Sequence, residues 1–196
     1  MDFLKLDLPF ARELDPPKVN FLLSMMEKGV NSPLTSSCGR LFDAVAALAG
    51  IRQQVNYEAQ AAIELEMAIG TAAYDDGGYR LELLPTDGHW IMSTRPLFEQ
   101  LIHDLDRNIA VAEISRRFHN GLIECFIELA MMLRKKTTLN RVCLSGGTFH
   151  NIYLSQHLEA HLSEAGFEVF TQKEVPAGDG GLSLGQALVA AASSHK

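Results

Sequence analysis

Through its first two thirds the chain carries apolar residues mostly at helical spacing, and in its last sixty residues short apolar runs alternate with helical ones. Residues 1 to 14 alternate apolar and charged positions without a helical period and predict an extended lead-in. Asp15-Pro16-Pro17 then reads as a helix start, with Asp15 as cap and proline tolerated in the first turn. Val19, Leu22, Leu23 and Met26 recur on one face until Gly29 stops that helix. After the turn Asn31-Ser32-Pro33, the hydroxyls of Thr35 to Ser37 can cap a second helix over about Cys38 to Ala49. Leu41, Phe42, Val45 and Leu48 form its bulky face, and Arg40 and Asp43 sit opposite beside Ala44 and Ala47. A third helix is predicted from Tyr57 to Ile69, with Asn56 as cap. Glu58 heads its inward stripe of Ala62, Leu65 and Ile69. Tyr79 to Leu84 and His89 to Met92 read as a hairpin. Helices from Pro96 to Asp106 and from Ala110 to Arg134 follow. The second has a core stripe of Val111, Ile114, Phe118, Leu122, Cys125, Phe126 and Leu129. His119 and Asn120 lie just off that stripe and read as satisfied packing residues.

The last stretch changes character. Val142-Cys143-Leu144 reads as a strand buried on both faces, broken by Ser145-Gly146-Gly147 and followed by a helix from Thr148 to Ala165. Gly166 stops the helix, Phe167 to Thr171 is a further strand, and a closing helix begins near Leu182. Strand, helix, strand and helix in that order imply a parallel α/β sheet with right-handed crossovers. Ligands in such sheets sit beyond the carboxyl ends of the strands, so the glycine pairs at 146–147 and 180–181 should come close together. Two readings of Gly146-Gly147 are open. One is a plain tight connection. The other is a bare main-chain turn at a helix N-terminus, suited to a phosphate. It is neither a dinucleotide fingerprint nor a P-loop.

Composition narrows the class. At 196 residues, 47% hydrophobic and 21% charged, the chain reads as one globular domain. Its net charge of −7, without a basic block, argues against nucleic acid as the ligand. Cys38, Cys125 and Cys143 are far apart with no C-x-x-C, which points to reduced thiols and a cytoplasmic setting. The start, M-D-F-L-K-L-D-L-P-F, is not a signal peptide, and no stretch is long enough to span a membrane.

Two constellations could hold a metal. His157 and His161 are four apart in H-L-E-A-H and read either as solvent-facing histidines or as a shared metal pair, although leucine stands where a general base would be. Asp179, between Gly178 and Gly180-Gly181, reads either as a hard-metal ligand or as a helix cap.

Three stretches together carry a resemblance. They are T-S-S-C-G-R-L-F-D-A-V-A-A-L (Thr35 to Leu48), N-Y-E-A-Q-A-A-I-E-L-E (Asn56 to Glu66), and L-S-G-G-T-F-H-N with V-P-A-G-D-G-G-L-S-L-G-Q-A (Leu144 to Asn151, Val175 to Ala187). F-H-N-G-L at Phe118 to Leu122 also fits. In this order they resemble the C-terminal part of the nickel–iron hydrogenase maturation carbamoyltransferases, HypF. That region is similar to the tRNA threonylcarbamoyl transferases.

The resemblance implies the second lobe of an actin-like, sugar-kinase-like (RNase H-like) ATPase fold: α/β, helix-rich, with a small mixed sheet. The chain would be a single domain over 1–196. Residues 1–33 form the lead-in and first helix, 34–135 a helical part with the hairpin, and 136–196 the nucleotide-binding α/β part. The resemblance also implies that the lobe holds ATP or carbamoyl adenylate. The carbamoyl group then passes to the C-terminal cysteine of a HypE-like acceptor, towards the cyanide ligands of the hydrogenase iron. By the same resemblance Ser145, Gly146, Gly147 and Asn151 line the phosphates and sugar. Asp43 holds the ribose hydroxyls with Gly39 and Glu58 beside it, and Asp179 is a ligand of a divalent ion, iron or zinc.

The resemblance covers only a part of the family's protein. The acylphosphatase-like, zinc-finger and adenylate-forming domains, and the first lobe with its H-x-x-x-H metal histidines, are expected to lie elsewhere, on a longer protein or on a separate chain. His157 and His161 share that spacing but fall in the wrong lobe. The expectation is little metal in the isolated chain and self-association through an exposed cleft face. The competing reading is a non-catalytic nucleotide-binding or protein-docking lobe that completes its site with another chain. A tRNA-modifying relative fits less well, because the chain is acidic and carries R-L-F-D-A.

Overall fold

The computed structural model describes residues 8–71, 74, 75 and 77–194. The chain divides into two compact units, residues Met1–Thr71 with Phe98–Ser115, and Ala72–Leu97 with Arg116–Lys196.

The first unit is helical. A short helix α1 (Pro9–Arg12) precedes α2 (Pro16–Glu27). Its lead-in is therefore not extended throughout, because Arg12 N–H already closes a helical bond on the Leu8 carbonyl. The predicted apolar face of α2 exists as a stripe but is not buried: Leu22, Leu23 and Met26 are exposed and Val19 is half-buried. Helical spacing specifies a face, whereas burial depends on what lies against it.

Helix α3 (Cys38–Leu48) starts where the hydroxyls predicted, with Ser37 Oγ accepting from the Arg40 N–H. It buries Phe42, Val45 and Ala46 against α4 (Gln60–Met67), which buries Ala61 and Leu65. Burying each large side chain contributes about 1.5–3 kcal/mol. The predicted start of α4 is corrected. Asn56 is not the cap, because the residue before the helix is Ala59, in a left-handed conformation at φ 62°. No side chain caps the helix; Gln60 Oε1 instead accepts from Asn56 N–H at 2.8 Å, tying the preceding loop to the first helical residue. Glu58 consequently precedes the helix and is exposed, not at the head of an inward face. The next helix in the chain is α5 (Arg95–Asp106), and Ser115 Oγ donates to the Leu65 carbonyl, tying α4 to the first turns of α6 (Val111–Thr137).

Among the described residues, the four strands all fall in the second unit. β1 (Glu82–Pro85) and β2 (Trp90–Ser93) form the predicted antiparallel hairpin, with Leu83 opposite Met92. β3 (Arg141–Cys143) and β4 (Glu168–Phe170) pair in parallel, with Val142 opposite Val169. The strands thus make two two-stranded sheets rather than one mixed sheet. β3 is not buried on both faces either. Arg141 and Cys143 are exposed, and Arg141 Nε pairs with Glu168 Oε2 across the ladder at 2.8 Å.

Helix α7 (Ile152–Glu164) crosses from β3 to β4 and buries Leu154, Leu158 and Leu162, four residues apart on one stripe. Its C-terminus closes as a Schellman turn. Phe167 N–H donates to the Leu162 carbonyl and Gly166 N–H to that of Ser163, with Gly166 at φ 83°. Arg134 of α6 secures this end, donating to the Ala165 carbonyl at 2.9 Å and covering the Phe167 ring at 3.9 Å. α8 (Leu182–Ser193) ends the described chain.

Within this unit α6 carries Phe118, Leu122 and Ile123 into the core. Gly121 lets the backbone of Tyr79 come against the helix: a Cβ there would run into the Tyr79 carbonyl, and Tyr79 N–H donates to the Arg117 carbonyl at 2.8 Å.

Candidate functional site

The centre of the second unit's chemistry is the turn after β3. Leu144 N–H still donates to Phe170 O, extending the parallel ladder by one bond, and the chain then opens at Ser145. Gly146 has φ 110°, a conformation that side chains rarely adopt, and nothing lies within 4 Å of a Cβ built on Gly146 or Gly147. The turn therefore presents bare main chain on an open side. Residues Gly147–His150 form one turn of 3-10 helix, so the predicted helix from Thr148 is in two pieces, separated by Asn151.

Asn151 is extended at φ −67°, ψ 111°, which ends the 3-10 turn, and its Oδ1 accepts from Leu154 N–H at 2.7 Å, which starts α7. The side chain is almost fully buried. Its Nδ2 lies 2.9 Å from Nε2 of His119, which is wholly buried on α6.

The stretch leading into the second glycine pair, Ala177 and Gly178, lies alongside the first. Gly146 N–H donates to the Ala177 carbonyl at 2.8 Å. A Cβ on Gly178 would lie 3.5 Å from Gly147 Cα and 2.9 Å from His150 Nε2. Asp179 opens a 3-10 turn ending at Gly181 and is exposed. It is not the cap of α8: that position belongs to Gly181, and no side chain caps the helix. The donors present do not by themselves fit a metal. Among the described residues no group of three or more His, Cys, Asp or Glu is gathered that could hold an ion.

His157 and His161 are not a water-facing pair. Both are half-buried, and Tyr74 covers them, with ring centroids 4.9 Å from His157 and 4.6 Å from His161. His161 Nδ1 donates to the His157 carbonyl at 2.6 Å. Burial, and then the charge of His161, lower the pKa of His157 below the usual imidazole range. Tyr153 extends the cluster: its hydroxyl donates to Asn120 Oδ1 at 2.7 Å, and burial raises its pKa. Asn120 Nδ2 donates in turn to the Asp75 carbonyl at 2.6 Å, and Arg116 pairs with the Asp75 carboxylate.

This cluster explains F-H-N-G at Phe118 to Gly121. His119 faces Asn151, Asn120 bridges the Asp75 loop and Tyr153, and Gly121 admits the Tyr79 backbone. The signal for it was the pair of polar residues beside a core stripe. No pattern pointed to Tyr74.

In the first unit Gly39 and Asp43 stand one turn apart on α3, Asp43 half-exposed and 3.4 Å from the exposed Arg40 guanidinium. Such a surface pair contributes little to stability. Arg52 and Glu64 form a two-bond pair at 2.8 and 2.7 Å, and Gln60 adds a third bond. Bonding to Arg52, then to Gln60, holds the Glu64 carboxyl below its ordinary range.

A parallel strand pair ending at a bare glycine turn is an α/β arrangement, and the match to a family model makes it a lobe of the Kae1-like kind. The chain belongs to the family described as carbamoyltransferase, Kae1-like domain, second subdomain, whose model matches residues 3–186. It is 42% identical over 167 residues to the carbamoyltransferase HypF of Rhodobacter capsulatus, covering 84% of this chain and 21% of that protein. Against the carbamoyltransferase HypF of Synechocystis sp. the identity is 35%, over 85% of this chain and 21% of the relative. A crystal structure of full-length HypF in the phosphate- and nucleotide-bound form superposes with a TM-score of 0.87 at 38% identity, covering 96% of this chain and 29% of that one. The chain thus spans about a fifth of the length of these two relatives.

Among the described residues no helix is long and apolar enough to cross a membrane.

Proposed function

We propose that this chain is the lobe of a hydrogenase-maturation carbamoyltransferase that holds ATP or carbamoyl adenylate. The carbamoyl group passes from it to the C-terminal cysteine of a HypE-like acceptor, in the cytoplasm. The observation that carries this reading is the Gly146–Gly147 turn. Its main chain is bare, it lies at the carboxyl end of β3, and Gly146 N–H is bonded to the Ala177 carbonyl just ahead of the second glycine run. Ser145, Gly146, Gly147 and Asn151 line the phosphates and sugar. Asp43, with Gly39 and Glu58, takes the ribose hydroxyls. Asp179 gives one ligand to an iron or zinc ion, whose remaining ligands come from the rest of the domain, where the ion would neutralise charge on the transferred group.

The experiment is an ATP titration of this chain, alone and with a separately supplied first lobe, followed by carbamoyl transfer to an acceptor ending in cysteine. Binding and transfer that appear with the added lobe, and fall more than tenfold in Gly146→Val, support the transferase. Binding without transfer under any combination supports the second reading, a docking lobe that completes another chain's site. That reading is favoured by the exposed apolar residues of α8, Leu182, Leu184, Leu188 and Val189. Absence of binding in both arms ends the nucleotide reading.

A further inference from the structure

We propose that His119 is a positioning residue for the glycine turn. As a neutral ring protonated on Nδ1, it holds the Asn151 side chain, and through Asn151 it holds both the 3-10 turn Gly147–His150 and the first turn of α7.

The tautomer follows from the bonding. Asn151 Oδ1 accepts from Leu154 N–H at 2.7 Å, so the oxygen of that amide is identified and its nitrogen is the group facing His119. An amide nitrogen only donates. His119 Nε2, at 2.9 Å, must therefore accept and carry no proton. An imidazolium there would set donor against donor in a wholly buried place, which is costly.

The mechanical consequence follows from where Asn151 stands. Its N–H donates to the Thr148 carbonyl, closing the 3-10 turn, and its carbonyl accepts from Ser155 N–H, opening α7. Phe149 N–H donates to the Gly146 carbonyl within the same turn. The main chain of the turn is thus strung between Gly146 and Asn151, and Asn151 is fixed by one side-chain bond on each side. Gly146 and Gly147 lack side chains that could fix the turn, so its order depends on its ends. His119 is itself wedged edge-on between Phe118 and Tyr153, at centroid distances of 5.3 and 5.6 Å. In its effect on phosphate binding this inference rests on the nucleotide reading above; in its geometry it does not.

The test uses the full chain labelled with 15N, as wild type, His119→Gln and His119→Leu. Glutamine can present an acceptor oxygen to Asn151, and leucine cannot. In wild type the His119 nitrogens should show protonated Nδ1 and bare Nε2. In His119→Leu the amides of Gly147 to Asn151 should broaden or shift, and Leu154 N–H should exchange at least tenfold faster. His119→Gln should restore both. With ATP as probe, affinity should fall at least tenfold in His119→Leu and return in His119→Gln. A protonated Nε2 in wild type overturns the proposal whether or not either variant folds. So does a leucine variant with wild-type amides, or a glutamine variant no better than leucine. If wild type binds no ATP while the tautomer and exchange results hold, the nucleotide reading fails and the positioning role stands.

Discussion

The ring of Tyr74 lies almost flat against that of His157, with centroids 4.9 Å apart and planes 27° from parallel. His161 approaches the same tyrosine, and the ring centroid of Tyr153 stands 4.5 Å from that of His157. A half-buried imidazole so enclosed is favoured neutral.

That enclosure predicts a pH dependence. In the unfolded chain His157 titrates near 6.5; in the folded chain burial and His161 lower its pKa. Between those values the unfolded chain binds more protons, so stability rises with pH there. It is fully present above about 6.5 and is lost as pH falls through the folded value. The charged groups around the cluster are His161 on the same helix and the Arg116–Asp75 pair beyond Tyr153. The melting temperature of wild type should therefore drop more between pH 7.5 and 5 than that of His157→Phe, which keeps the stacking and loses the titration. Parallel curves would remove His157 as the cause.

Gly121→Ala should destabilise the second unit by about 1–3 kcal/mol or more, as overpacking does in a closed site. The added methyl meets the main chain of Tyr79, its carbonyl and its nitrogen, which cannot rotate away as a side chain could. The denaturation midpoint should move down while the slope stays constant. A midpoint within error of wild type would mean that Tyr79 does not in fact lie against α6.

The three thiols should separate by reactivity. Cys125 is buried on α6, and burial, with Glu128 second, pushes its pKa up to about 11. Cys143 is exposed and Cys38 half-buried. A disulfide reagent at pH 8 should label Cys143 in the native protein and leave Cys125 untouched until unfolding, because the thiolate is the reactive form. Rapid native labelling of Cys125, located by mass spectrometry, would contradict the packing around α6.

What could be read from the sequence was what local chemistry decides. Ser37 at the start of α3 and Gly166 at the end of α7 act on neighbours a few residues away, and both helices end where those residues predicted. The parallel pairing of β3 and β4 was legible because a strand–helix–strand order admits few arrangements. The start of α4 was not: Asn56 is as good a cap by type, yet Gln60 reaches back to it from inside the helix. At the candidate site the same division holds. The glycine pairs 146–147 and 180–181 were expected together from topology; what meets the first pair is the stretch just ahead of the second, Ala177 and Gly178. The clamp on Asn151 was hidden, because His119 is far away in the chain and its stripe looked like packing. So was the cover over His157 and His161, since Tyr74 sits in an irregular stretch with no period to read.

Asn151 itself offers the most direct dissection of the turn. Asn151→Ala removes the cap of α7, worth about 0.5–2 kcal/mol, and leaves the buried His119 Nε2 without its donor, worth about a further 1–3 kcal/mol. A loss of roughly 1.5–5 kcal/mol is expected if the two add. Asn151→Asp separates them. Aspartate is as good a cap, so the Leu154 N–H bond survives, but the second carboxylate oxygen then faces Nε2, and two acceptors oppose each other. His119 should respond by moving its proton to Nε2 or by becoming charged. If it becomes charged, its folded pKa rises above the unfolded value, and the aspartate variant gains stability below about pH 6.5 that is lost as pH rises through the folded value. The wild type, whose ring stays neutral, should show no such gain. Thermal melts of both proteins from pH 5 to 8, with His119 nitrogen shifts at each end, decide it. An aspartate variant that retains bare Nε2 and the wild-type pH profile would show that Asn151 does not donate to His119 in solution.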